Sequence, residues 1–414
     1  MASAAEQARA AAEAAARQSY GRLVAYLASR TRDVASAEDA LADAFAAALV
    51  KWPETGVPLH PEAWLLTVAR RRSIDQQRRR AAGEAGQDHL RLIGEELEQE
   101  MAREKFPDER LGLIFACAHP AIDAGVRAPL ILQAILGFDA ATIASAFLVS
   151  PATMGQRLVR AKARIRQAGI PFRIPEAAEL GERLSAVLEA IYAAFAEGWS
   201  DPAGAESRRR NLASEAIWLG RLLVELMPGE GEAAGLLSLM LHAEARRAAR
   251  RDAAGEFVPL SEQDTLLWDA DMIAEADALL QRAGLFDGIG RYRIEAAIQS
   301  AHAARRFTGR TDWAAIATLY AGLMTLTASP VIAVNHAVAV AYAVEPATGL
   351  ALLDAIDDAR LDQYQPYWAA RAELLSLGGD FLEADKAYEI ATGLETDAAV
   401  RRFLQRKRAA LAAR

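Results

Sequence analysis

Six arginines fall within ARRRSIDQQRRR, residues 69–80, against a single acid, Asp75. A helix carrying Arg70, Arg71, Arg72, Arg78, Arg79 and Arg80 is suited to phosphate contacts, each of which releases counterions and makes affinity salt-dependent. A second basic run extends from Pro151 to Arg173, with six basic residues and no acid. Within it Met154, Leu158, Ala161 and Ile165 recur at helical spacing, so Thr153, Gln156, Arg157, Arg160 and Arg164 point elsewhere. On such a helix the early polar residues can reach base edges while later basic ones hold the backbone. For an arginine run taken alone, a solvated helix face is the competing account.

The elements that would position these residues are helices. Alanine recurs throughout the 414 residues and β-branched runs are scarce, which predicts an all-α chain. Leu41, Phe45, Leu49 and Trp52 line one apolar helical face, with Pro53 and Gly56 expected to end that helix. Pro61 followed by Glu62 starts the next, PEAWLLTVARRRSIDQQRRR, in which Trp64, Leu65 and Val68 read as core. Further on, DERLGLIFACAHP and VRAPLILQAILGF read as two apolar helices, and Asp139 caps a short third. Ser150-Pro151 then opens the basic helix with cap and first-turn proline together. Short helix, tight turn and basic second helix form a helix-turn-helix pattern. Beyond Pro175, Trp368, Ala372, Leu375, Gly379, Ala384, Tyr388 and Ala391 fall at the packing positions of a tetratricopeptide helical hairpin. A weaker copy runs through Ala333, Ala337, Val340, Gly349, Leu353 and Ile356, which predicts an α-solenoid-like domain with degenerate repeats.

The net charge of −8 argues against a nucleic-acid-binding protein only if the charge is uniform. It is not. Residues 1–175 hold 23 Lys/Arg against 20 Asp/Glu, a net of +3, and the remainder holds 24 against 35, a net of −11. Between the two basic modules, residues 84–109 carry nine acids and three bases. Such blocks mark separate surfaces with separate partners. The single cysteine, Cys117, rules out a disulfide framework and a cysteine-based zinc site. His60, His89, His119, His242, His302 and His336 are scattered without ligand spacing. With no Gly-rich phosphate loop, H-E-x-x-H or G-x-S-x-G motif, neither an enzyme nor a metal or cofactor is expected. No stretch is long and apolar enough for a signal peptide or membrane span, so a cytoplasmic protein is expected.

The stretch DVASAEDALADAFAAALVKWPETGVPLHPEAWLLTVARRRSID resembles region 2 of bacterial sigma factors of the extracytoplasmic-function class. TIASAFLVSPATMGQRLVRAKARIR resembles their region 4. FACAHPA, RLVRAKARIRQAGIPFRIP and SPVIAVNHAVA are similar to the subgroup with a long tetratricopeptide-like C-terminal extension. The resemblance implies region 2 over residues 1–82, an acidic linker over 83–108, region 4 over 109–172 and a helical-repeat domain over 173–414. It implies that Asp33, Glu38, Asp39, Asp43 and Phe45 bind the β′ clamp helices of core RNA polymerase, with region 4 on the β flap. Trp52, His60, Arg70, Arg71, Arg72, Gln76, Arg78 and Arg79 would capture and open the minus-ten promoter element. Opening a duplex requires protein pockets and backbone contacts to replace lost stacking, at a few kcal/mol per extruded base. Thr153, Gln156, Arg157 and Arg160 would read the minus-thirty-five element, and Lys162 and Arg164 would hold phosphate.

Three positions depart from the family pattern. Ala42 stands where glutamine is frequent, Gly155 where a basic residue is frequent, and Ala118 where the subgroup has a second cysteine. Gly155 costs about 1 kcal/mol of helix propensity, and Cys117 is therefore read as a small buried hydrophobe. Glu95, Glu96, Glu98 and Glu100 of the linker are expected to lie in a channel shaped for nucleic acid. The acidic C-terminal domain is expected to be a regulatory module answering to a protein or ligand, against a purely stabilising role. The reading from another class is a helix-turn-helix regulator of duplex DNA with a helical-repeat adaptor. Such a regulator has no need of the acidic helix, loop and arginine helix of the first module.

Overall fold

The computed structural model describes residues 3–80, 108–147, 149–199 and 207–411. Among them the chain is all-α, with no β-strand beyond an isolated bridge between Arg251 and Phe257. No helix of the described residues is long and apolar enough to cross a membrane. Glu95, Glu96, Glu98 and Glu100 lie outside the described residues. The chain divides into two compact units, one reaching Gly198 and the other starting at Trp199.

The first unit opens with α1 (Ala4–Thr31), a helix the sequence motifs did not single out. Ser3 and Glu6 form a reciprocal capping box at its start. It touches α2 (Val34–Thr55) and α3 (Pro61–Arg80), and also α4 (Arg110–Cys117) and α5 (Ala124–Leu136). Close approach explains why small residues recur along it: a Cβ on Gly21 would sit 2.2 Å from the backbone oxygen of Ile135. α2 buries a different stripe from the one its large apolar residues mark. Leu41, Ala44, Ala48 and Trp52 are buried, whereas Phe45 is half-buried and Leu49 exposed. The apolar face expected through Phe45 and Leu49 is thus rotated onto the alanines. Pro53 does not end α2, because a proline in the last turn forfeits one backbone hydrogen bond without blocking the turns before it. The stop is Gly56, whose φ of 83° suits only glycine and whose N–H reaches the Trp52 carbonyl at 3.0 Å.

After α4 and α5 come α6 (Ala140–Ala146) and α7 (Pro151–Gln167), joined by a short connection. The Ser150 side chain accepts the Thr153 N–H at 3.1 Å, and Pro151 fills the first turn. The buried residues of α7 are Met154, Leu158, Ala161 and Ile165, the stripe that its periodicity predicts. α8 (Ala177–Trp199) is held to this unit by Arg183, which is buried and donates to the Phe115 carbonyl at 2.7 Å. The loop before it is close as well, since a Cβ on Gly112 would lie 2.9 Å from the Phe172 oxygen.

The second unit contains α9 (Ser207–Leu226), α10 (Gly231–Glu244), α11 (Ala270–Ala283), α12 (Arg291–Ala303) and the short α13 (Arg305–Thr308). It continues through α14 (Trp313–Leu326), α15 (Pro330–Ala343), α16 (Pro346–Asp354), α17 (Gln365–Leu377), α18 (Phe381–Leu394) and α19 (Ala398–Leu411). In the α17–α18 hairpin Ala372, Leu375, Ala384, Tyr388 and Ala391 share one core, with Trp368 packed against it. Gly379, at φ 86°, makes the turn. In the preceding pair Ala337, Gly349 and Leu353 are buried, while Ala333, Val340 and Ile356 are half-buried. Gly349 is where α15 and α16 touch, as an added Cβ would meet the Ala337 oxygen at 2.6 Å.

Candidate nucleic-acid interface

α2 carries the acidic residues and α7 the basic ones, and the fold of the first unit brings part of each set together. Asp33 is the N-cap of α2: one carboxylate oxygen accepts the Ser36 N–H at 3.2 Å, and the other accepts from Arg166 Nη1 at 3.1 Å. Just over one turn along, Glu38 accepts from Lys162 Nζ. The side chains of Lys162 and Glu38 are only 10% and 13% exposed. Burial pushes the Glu38 carboxyl upward and Lys162 opposes that shift. Burial also pushes up the Tyr20 hydroxyl and the Cys117 thiol, with the Glu38 charge adding to both. Cys117 is fully enclosed, consistent with a small core residue.

The other acidic-helix residues differ. Asp39 and Asp43 are exposed and Phe45 is half-buried. On α7, Thr153, Gln156, Arg157, Arg160 and Arg164 are exposed, so the polar and cationic face expected there is open to solvent. Arg157, Arg160 and Arg164, at spacings of three and four, line a cleft of about 450 Å³ whose facing wall includes Ile122 and Asp123. Lys162, expected beside Arg164 on phosphate, is instead turned to Glu38, because it lies on the α2-facing side of the helix.

The residues expected around an opened duplex are also divided. His60 ends the loop after α2 and is exposed, and its carbonyl accepts the Trp64 N–H at 3.2 Å. Trp52 is 1% exposed and meets the half-buried Trp64 edge to face, ring centroids 5.4 Å apart. Its ring faces are covered by protein, so the DNA-facing role expected of Trp52 does not fit this packing: it continues the buried stripe of α2. Arg70 is buried, while Arg71 and Arg72 are exposed. Gln76, Arg78 and Arg79 occupy the last turns of α3.

Sequence reasoning missed two things here. The pairs Glu38–Lys162 and Asp33–Arg166 join residues 124 and 133 positions apart, and helical periodicity carries no signal at that range. The role of α1 between the two modules was the other. Its signal was present as a run of helix-favouring residues with a glycine amid them.

Comparison with known proteins gives three findings. Sigma-70 region 2 matches residues 16–83. A family of unknown function, DUF6596, matches residues 183–284. An uncharacterized protein of Rhizobium meliloti (strain 1021) is 39% identical over 393 residues, covering 94% of this chain and 92% of its own length. No solved structure matches the chain.

Proposed function

The chain belongs to the family of that Rhizobium meliloti protein and carries a sigma-70 region 2, and from this we propose that it is a promoter-specificity subunit of RNA polymerase. It is of the extracytoplasmic-function class, with a tetratricopeptide-like C-terminal extension. The observation that carries the reading is the region 2 match, which runs from within α1 to just past the end of α3. The capped basic helix α7 downstream supports it.

In this reading Asp39 and Asp43, exposed on α2, meet a basic surface of the polymerase β′ subunit, and region 4 docks on the β flap. Arg71 and Arg72, with Gln76, Arg78 and Arg79 further along α3, track the strands at the minus-ten element. Thr153, Gln156, Arg157, Arg160 and Arg164 face the minus-thirty-five duplex. Reading there needs the early polar residues near base edges and the arginines on phosphate. Asp33, Glu38 and Lys162 are occupied by one another's module, so they join these surfaces only when α2 and α7 part. The C-terminal domain regulates the sigma modules, and the protein acts in the cytoplasm without catalytic chemistry of its own.

The experiment is run-off transcription by core polymerase with the full chain, on intact and pre-melted promoter templates. Specific transcripts from both, with co-purification of the chain and core enzyme, are expected. Failure of both, together with a shift of duplex operator DNA in the absence of polymerase, would overturn the reading.

A further inference from the structure

The second unit carries an excess of acids, yet one of its clefts is cationic and aromatic. The cleft encloses about 480 Å³, and no aspartate or glutamate lines it. Trp313 and Tyr342 stack along one wall, centroids 4.6 Å apart and 17° from parallel. His302 meets Trp313 edge-on at 5.5 Å. The guanidinium of Arg305 lies 5.3 Å above the buried Trp268 ring and is fixed by donating to the carbonyls of Leu260 and Ser261, at 2.9 and 2.7 Å. Arg310 is exposed at the rim, and among the described residues no carboxylate pairs with its guanidinium.

A second observation lies behind His302. Arg246 is 8% exposed and donates to the Gln299 side-chain oxygen, while its Nε and Nη1 have no acceptor. Burying an arginine without a carboxylate is costly, and buried donors left unmade add to the cost. The local field is correspondingly positive. Burial, then the charges of Arg246 and Arg305, pull the His302 imidazole down to about 4, so it is neutral at pH 7.

We propose that this cleft binds a small planar aromatic carboxylate, its ring against the Trp313–Tyr342 wall and its carboxylate toward Arg310. The ring supplies stacking and apolar burial, and the carboxylate supplies the negative charge that the cleft lacks. The enclosed volume falls within the range of small-molecule sites. A bare anion would forgo the aromatic wall, and a neutral ring would forgo the field. The site gives the C-terminal domain a ligand to answer to, and it stands whether or not the chain directs transcription.

The test uses the full chain and two probes of one shape, naphthalene-2-carboxylate and its neutral isostere naphthalene-2-carboxamide, with binding read by titration calorimetry. The carboxylate is expected to bind saturably at one site and at least about tenfold more tightly than the carboxamide, the worth of one charge-assisted hydrogen bond. Arg310→Ala, at an exposed position, should weaken the carboxylate about tenfold and the carboxamide by much less, narrowing that preference. Tyr342→Ala should weaken both probes. Equal binding of the two probes, no saturable binding, or carboxylate binding untouched by both substitutions would overturn the proposal.

Discussion

Lys162 and Glu38 form an ion pair between α7 and α2 in which both side chains are nearly out of water. Ion pairs of this kind are held more by the cost of breaking them one-sidedly than by net attraction. Lys162→Met would leave the Glu38 carboxylate enclosed without a partner, at about 3 kcal/mol or more. Arg166→Met should cost less than about 1 kcal/mol, because the Arg166 side chain is 54% exposed and water can replace it. The exchanged pair Glu38→Lys with Lys162→Glu should recover most of the loss. Urea denaturation of the full chain measures all three, and equal costs at Lys162 and Arg166 would refute this weighting.

Asp39 and Asp43 separate binding from stability. Both are exposed on α2, so Asp39→Arg and Asp43→Arg should change stability by no more than about 0.5 kcal/mol. If α2 meets a basic polymerase surface, each reversal should sharply reduce recovery of core polymerase in a pull-down at low salt. Wild-type recovery from both variants would remove α2 from that interface.

Two glycines predict opposite signs. Nothing lies within 4 Å of a Cβ added to Gly155 in α7, so Gly155→Ala should gain helix propensity, about 1 kcal/mol. Gly21→Ala drives a methyl into the Ile135 backbone oxygen and should destabilise by about 3 kcal/mol or more. Thermal melting of the two variants beside the parent decides both. A rise for Gly21→Ala would mean that α1 and α5 are not so close in solution.

His302 gives a pH prediction. Its folded value, about 4, lies below the ordinary imidazole value of 6.5. The unfolded chain therefore takes up a proton first as the pH falls, and stability present above about pH 6.5 drains away toward pH 4. The full loss is on the order of 3 kcal/mol. His302→Gln should flatten that part of the profile in urea titrations between pH 7 and pH 4.5, where carboxylate effects are common to both proteins. Parallel profiles would contradict the half-buried, neutral imidazole.

The parts legible in the sequence are those set by local chemistry. Ser150-Pro151 opens α7 and the stripe from Met154 to Ile165 is buried, because cap, proline and periodicity act within a few residues. The α17–α18 hairpin was legible for the same reason, with small residues where its helices touch and Gly379 at the turn. What escaped depends on a distant neighbour. Phe45 and Leu49 have the spacing of a core face, yet on α2, which packs against α1, the buried positions beside them are Ala44 and Ala48. Lys162 reads as one more phosphate-binding cation until α2 is set beside it.

The reach of α1 bears on where the protein can be cut. The region 2 match begins at residue 16, which invites removal of everything upstream. Ala8, Ala12 and Ala15 are buried, however, and α1 serves as a party wall between α2–α3 and α4–α5. A chain trimmed to that boundary would lose the outer half of a wall on which both halves of the first unit lean, and its apolar lining would be laid bare to water.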